Sequence, residues 1–95
     1  MNPLYLIAEI YPHPEKLVQA KAIFESLIAK TLKEPGCLLY DLVIEEGADR
    51  WLMLEKWESR EAWNAHMETE HVRQNQIDTP TIAQKPTVLR FFDPV

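Results

Sequence analysis

The sequence is poor in the residues from which most nucleotide, metal and disulfide sites are built. It has one cysteine, Cys37, and two glycines, Gly36 and Gly47. It therefore has no internal disulfide, no cysteine cluster for zinc or iron–sulfur, and no glycine-rich loop to cradle a phosphate. A Gly-x-Ser-x-Gly nucleophile elbow is also missing. Any enzymatic activity must use a few polar groups in an apolar pocket, and we expect no cofactor and no tightly bound metal.

Basic clusters and long apolar runs are missing too. The formal net charge is −5, which argues against a nucleic-acid surface, since such surfaces need clustered Lys and Arg. No apolar run reaches the roughly 18 residues of a membrane span, and residues 1–4 do not resemble the start of a signal peptide. With a single cysteine, these features predict a cytoplasmic protein. The 95 residues predict a single domain, 1–95, with a modest core.

Four segments have the composition of β-strands, because they are rich in aliphatic, β-branched and aromatic residues and end at turn residues. They are residues 4–11, 38–45, 50–57 and 87–93. The second and third segments are separated by a short turn around Gly47, which predicts an antiparallel hairpin.

Two regions between the strands have helical patterns. The first begins near Pro14, stops at Glu34-Pro35-Gly36 and carries apolar or small residues at helical spacing, namely Leu17, Ala20, Phe24, Leu27, Ile28 and Thr31. Ser59 is a suitable N-cap for a helix to about Met67. A further helical piece over 70–77 and a loop over 78–86 are predicted after it. The order β-α-β-β-α-β predicts a ferredoxin-like α+β fold, an antiparallel sheet with its helices on one face.

The predicted strands are apolar on both faces. In the first, Leu4, Leu6, Ala8 and Ile10 alternate with Tyr5, Ile7 and Tyr11, and the third and fourth strands have the same property. A sheet that is covered on one face should alternate between apolar and polar residues. The helices of one chain cover only one face, so the second face predicts a homodimer in which two sheets pack together.

A few polar residues in apolar surroundings are candidates for chemistry. Glu55 lies in the third strand and needs either an ion-pair partner, such as Arg90, or a place in a pocket near His66. His66 and His71 are five residues apart, about 140° around a helix, so they share a site only if the helix breaks near Glu68 and Thr69. Taken singly, each histidine is better explained by a structural interpretation, in which one packs at a helix end and the other is exposed.

Two motifs in this chain resemble those of a known family. Residues 34–42, Glu-Pro-Gly-Cys-Leu-Leu-Tyr-Asp-Leu, resemble the EPGCLxYxL signature of the antibiotic-biosynthesis-monooxygenase family. Residues 54–66 followed by His71 resemble its ExWxSxEAxxxH…H signature. The resemblance extends over essentially the whole chain. It implies a dimeric α+β barrel in which two ferredoxin-like sheets pack face to face.

The resemblance also implies a pocket and a reaction. Members similar to this chain include cofactor-free monooxygenases of quinol or phenolic substrates, which react with dioxygen. On that model His66 is the catalytic base with Glu55 as its catalytic partner, while Trp57, His71 and Tyr40 bind the substrate.

Other activities stay open. The resemblance also covers isomerases that act on a small phosphorylated metabolite, in which Glu55 and His66 would form an acid/base pair. Haem-degrading members use an Asn of the first strand. Residues 4–11 contain none, which argues against haem degradation by this chain. A third interpretation is a non-catalytic barrel that binds small molecules, since one fold hosts many functions.

Overall fold

The computed structural model describes residues 2–95 and confirms the predicted order of elements. The strands are β1 (Leu4–Ile10), β2 (Cys37–Ile44), β3 (Trp51–Trp57) and β4 (Val88–Phe92), and the helices are α1 (Leu17–Thr31), α2 (Arg60–Met67) and α3 (Glu70–Asp78). Short 3-10 helices occupy Pro14–Lys16 and Thr79–Thr81. The second of these lies in the segment predicted as loop, and α1 ends three residues before Glu34.

The four strands form one antiparallel sheet in the order β2-β3-β1-β4. Ala8 at the centre of β1 pairs with Met53 of β3 on one side and with Leu89 of β4 on the other. Because β3 lies between β1 and β2, the connection through α1 crosses over a strand. This is the ferredoxin-like arrangement that the sequence predicted.

Helix α1 supplies most of the cover for one face of the sheet. Ala20, Phe24, Leu27 and Thr31 are buried, at the 3.6-residue spacing that places them on one side of a helix. The sequence pattern included Leu17 among the apolar positions of this helix, but Leu17 is 45% exposed. Leu17 is the first residue of α1, directly after the 3-10 helix. None of the helices within residues 2–95 combines the length and apolar character needed to cross a bilayer.

The opposite face of the sheet is also apolar, as the strand pattern predicted. Ile7 and Leu54 pair at its centre. Leu39, Val43, Val88 and Phe92 lie around them and are exposed. Glu9 is the buried charge on this face, and it contacts Arg50 and Arg90. The face therefore combines a broad apolar area with one compensated ion cluster and two further charged residues, Asp41 and Lys56.

The turn from α1 into β2 is held tightly against the start of α2. Gly36 has φ +86, and a Cβ atom built there would lie 2.7 Å from the Cβ of Ala62. The Glu58 N–H donates to the carbonyl of Gly36 over 2.8 Å. Glycine is required here because any other residue would be strained and would also push α2 away.

We expect Gly36→Ala to lower the free energy of unfolding by about 2–4 kcal/mol, from the positive φ and the overlap with Ala62 together. The matched control is Gly47→Ala, because Gly47 has φ +77 but no atom within 4 Å of a built Cβ. Its cost should be about 1 kcal/mol. Urea unfolding of both variants measures the difference, and equal losses would contradict the close approach at Gly36.

Candidate active site

A cavity of about 520 Å³ lies between the sheet and the helices. Its walls are mainly apolar and include Ala8, Phe24, Leu27, Met53, Met67 and Leu89. Three of the predicted site residues, Tyr40, Glu55 and His66, reach the same wall. An apolar cavity with a few converging polar groups is typical of a small-molecule site.

The Nδ1 side of the His66 ring contacts the carboxylate of Glu34. Its Nδ1 lies 2.7 Å from Oε2 of Glu34, and Nε2 of His71 lies 2.7 Å from the same oxygen. An ionised carboxylate only accepts hydrogen bonds, so both contacting nitrogens carry the proton. His66 is therefore the Nδ1–H tautomer, which leaves the lone pair on Nε2. Orientation of a histidine by a carboxylate in this way is a common device for general bases.

The local structure explains why the three side chains meet. Glu34 follows α1 in a turn closed by its N–H bond to the Thr31 carbonyl, and the Gly36 contact holds this turn against α2. His66 lies near the end of α2, one to two turns after that contact. The chain then breaks at Thr69, whose Oγ1 donates to the His66 carbonyl and accepts from the Val72 N–H. This cap starts α3 and turns His71 toward the carboxylate that His66 also contacts.

Glu55 is a second, separate carboxylate of the site. It is buried in the middle of β3, and its Oε1 accepts a hydrogen bond of 3.0 Å from the indole Nε1–H of Trp57. The Trp57 ring lies against the His66 ring, with centroids 4.6 Å apart. Tyr40 completes the group, with its ring centroid 5.5 Å from that of His66. The aromatic rings thus fix the position of the imidazole.

Burial shifts the pKa values of Glu55 and His66 in opposite directions, and in each case it favours the neutral form. Burial, and less strongly the charge of Glu34, raise the pKa of Glu55 to about 7, although its bond from Trp57 opposes this. Burial lowers the pKa of His66, while the bond to Glu34 opposes that change. Near neutral pH the cavity therefore holds a neutral imidazole and a carboxyl group that is close to half protonated.

Two neighbouring groups are poor candidates for ionisation. Burial and the nearby charge of Glu55 raise the pKa of Tyr40 well above its ordinary value. Burial, Glu34 and Glu55 raise the pKa of Cys37 to about 11. Tyr40 is thus a neutral hydroxyl on the cavity wall, and Cys37 is not an activated thiol.

The predicted site residues divide into two groups. Tyr40, Glu55 and His66 line the cavity, whereas Trp57 and His71 are not among its lining residues and lie behind His66. Of the two explanations for Glu55, the structure supports the pocket carboxylate, because Arg90 bonds to Glu9 instead, over 3.1 Å. The helix break before His71 is present, and it brings both histidines to one carboxylate.

Glu34 is the site residue to which sequence reasoning assigned no role. It stood in the first motif but was interpreted only as part of a helix end. It is 32 residues from His66 and 37 from His71 in the chain, so no local spacing connects them. The available signal was a glutamate directly before a Pro-Gly turn, in a chain whose second motif contains two histidines. With His66 and His71, Glu34 forms a set of ligand atoms that could hold a metal ion.

The raised pKa of Glu55 makes stability depend on pH. Between its ordinary pKa of 4.5 and its folded pKa of about 7, the native state binds more protons than the unfolded state, so stability falls as pH rises through this window. Glu55→Gln removes the ionisable group, so the stability of the variant should not fall in this way. Between pH 4.5 and 7 its free energy of unfolding should rise relative to that of wild type by up to about 3 kcal/mol. Urea unfolding across that range measures the gain. The exposed Glu46→Gln should show no comparable gain, and a flat difference for Glu55→Gln would contradict the shifted pKa.

Known proteins resemble this chain along most of its length. It is 25% identical over 92 residues to the uncharacterized protein sll1783 of Synechocystis, which matches 96% of this chain; the chain spans 63% of that relative. "Putative monooxygenase Rv0793" of Mycobacterium tuberculosis is 23% identical over 99% of this chain and 93% of its own. Its structure superposes with a TM-score of 0.92 at 24% identity, covering 98% of this chain and 95% of that one.

A crystal structure named "antibiotic biosynthesis monooxygenase" superposes with a TM-score of 0.90 at 27% identity, over 97% of this chain and 98% of that one. These superpositions agree with the fold described above. The family model for antibiotic biosynthesis monooxygenases matches residues 3–76, which include both motifs and the residues of the Glu34–His66–His71 set. The chain belongs to the antibiotic biosynthesis monooxygenase family.

Proposed function

We propose that this protein is a cofactor-independent monooxygenase of a quinol or phenolic aromatic compound. The observation that carries the proposal is the place of His66, on the wall of an apolar cavity with its Nδ1 bonded to Glu34. Membership of the family supports a monooxygenase-like activity. The substrate class and the roles of the residues are inferred from the chemistry of the site.

In this proposal His66 is the general base. The bond to Glu34 fixes the proton on Nδ1, so Nε2 is free to take a phenolic proton. Burial lowers the pKa of His66, which keeps the imidazole neutral and ready to accept a proton at neutral pH. Glu34 also stabilises the imidazolium that forms, as a buried carboxylate does in hydrolase triads.

The phenolate formed in this way is electron-rich enough to reduce dioxygen directly. A quinol with a free ring position would be converted, with one O₂, to the hydroxyquinone and one water. One oxygen atom enters the new ring C–O bond, and the other leaves as water. The quinol supplies the four electrons that reduce O₂. The proton held by His66 returns to the oxygen that departs.

The cavity suits an aromatic substrate. Its volume of about 520 Å³ lies within the range of about 300–1,000 Å³ that is usual for small-molecule sites. Apolar walls favour a flat ring, and the Tyr40 hydroxyl and the Glu55 carboxyl are placed to bind substrate oxygens. Trp57 and His71 position His66 from behind, because neither lines the cavity.

The raised pKa of Glu55 favours one alternative, a non-redox isomerase. A carboxyl group near half protonation and a neutral imidazole on the same cavity form an acid/base pair. Such a pair could move a proton between two carbons or oxygens of a small oxygenated metabolite. Turnover in the absence of oxygen distinguishes this reaction from the monooxygenase.

We propose further that two copies pack through the open sheet face as a dimeric α+β barrel. That face presents Ile7, Leu54 and their exposed aliphatic and aromatic neighbours over most of the sheet. An isolated chain would leave this apolar area in water, whereas an identical sheet would cover it. The ion cluster of Glu9, Arg50 and Arg90 is already paired within the chain. Asp41 and Lys56 lie on the same face and would need a partner or water in the dimer.

For the oxygenase, we expect wild-type protein to consume oxygen with at least one member of a quinol and polycyclic phenol panel. His66→Ala should reduce the rate at least about 100-fold, because it removes the general base. A Clark electrode and product analysis under air and under argon measure the reaction. His13→Ala is the matched control, since His13 lies outside the cavity and should leave the rate unchanged. No oxygen uptake, or equal rates in wild type and His66→Ala, would contradict the proposal.

For the dimer, we expect wild-type protein to sediment as two chains and Leu54→Glu to sediment as one. The substitution places a charge at the centre of the proposed interface, where it would be desolvated without a partner. Val18→Glu is the control, because Val18 is 82% exposed on α1, away from the sheet. Analytical ultracentrifugation measures the masses, and a monomeric wild type or an unchanged Leu54→Glu dimer would contradict the interface.

A further inference from the structure

We propose that Glu34, His66 and His71 form a binding site for a divalent transition-metal ion such as Zn²⁺ or Co²⁺. The ion would lie behind His66, on the side away from the cavity. One carboxylate and two imidazoles are the donor set that zinc, cobalt and nickel prefer, whereas magnesium and calcium prefer oxygen alone. The ion would therefore be of borderline softness.

The positions of the ligand atoms support this site. Nδ1 of His66 and Nε2 of His71 each lie 2.7 Å from Oε2 of Glu34, and the three ligand atoms lie within 4.8 Å of one another. Around a tetrahedral zinc, ligand atoms at about 2.1 Å from the ion are about 3.4 Å apart. Small rotations of the side chains thus convert the hydrogen-bonded arrangement into three metal ligands, with water in the remaining position.

The charge of the site also favours a cation. Within residues 2–95, Glu34 has the two histidines as its ion-pair partners and no Lys or Arg. A mostly buried carboxylate whose partners are two imidazoles lacks full compensation unless an imidazole is protonated or a cation binds.

One of the three ligands is fully buried, and the other two reach the surface with a small part of their side chains. His66 is 3% exposed and held between aromatic rings, while the side chains of Glu34 and His71 are 12% and 16% exposed. Neither Glu34 nor His71 lines the cavity. An ion can therefore enter from the outer surface without passing through the substrate cavity.

Binding of the ion would oppose the catalytic role of His66, a consequence that rests on the proposed function. A metal on Nδ1 takes the lone pair there, so the ring proton must lie on Nε2. Nε2 then has no lone pair with which to accept a phenolic proton. Metal binding and general-base catalysis are thus mutually exclusive at this histidine.

The test is a titration of metal-free protein with Co²⁺, followed by visible absorption, and with Zn²⁺, followed by calorimetry. We expect saturation at one ion per chain, with the absorption of a nitrogen-ligated cobalt site. His71→Ala and Glu34→Gln should each bind at least tenfold more weakly, while His13→Ala should bind as wild type does. Circular dichroism of the metal-free variants shows that each is folded, and Glu34→Gln keeps the side-chain shape should His71→Ala unfold.

The absence of saturable binding, or equal binding by wild type and both site variants, would overturn the proposal and leave a purely hydrogen-bonded cluster. Loss of binding in His13→Ala alone would also overturn it, because the ion would then occupy a surface histidine. These titrations need no substrate, so an inactive protein leaves them intact. If oxygen uptake is found, saturating Zn²⁺ should reduce the wild-type rate at least tenfold, and an undiminished rate would contradict the blocked base.

Discussion

The two hydrogen bonds that Glu34 accepts from His66 and His71 join two segments that lie 32 and 37 residues apart in the chain. They tie the end of α1 to α2 and α3, and they do so at the back of the cavity. Their geometry depends on the tight turn at Gly36, which lets Ala62 of α2 pack closely against the backbone of that turn. The orientation of the His66 imidazole on the cavity wall is therefore a result of backbone packing.

The cavity has a structural cost in so short a chain. The cavity takes up part of the space between the sheet and helices α1 to α3, and the buried apolar residues lie mainly on β1, β3 and the inner side of α1. Small domains bury a limited fraction of their surface even when they are solid. The proposed packing of the open sheet face on an identical face would recover burial without filling the cavity between the sheet and the helices.

The two carboxylates differ because their surroundings differ. Glu34 accepts bonds from two imidazoles and lies partly at the surface, whereas Glu55 is buried in a strand and accepts one indole N–H. Burial raises the pKa of Glu55 to about 7, so the same residue type acts as a fixed acceptor in one place and as a proton-exchanging group in the other. Trp57 connects the two environments, because it donates to Glu55 and packs against the imidazole of His66 that contacts Glu34.

Much of the fold could be predicted from the sequence, because periodicity, proline and glycine positions and the Ser59 cap are local properties of the chain. The strand pattern of β1 and β3 also indicated that both sheet faces are apolar. The site was only partly predictable: Tyr40, Glu55 and His66 came from motif positions, but the role of Glu34 did not. The identity of the carboxylate that contacts His66 depends on how the turn at Gly36 packs on α2. These two segments are distant in the chain. That contact is long-range, and only the tertiary structure decides it.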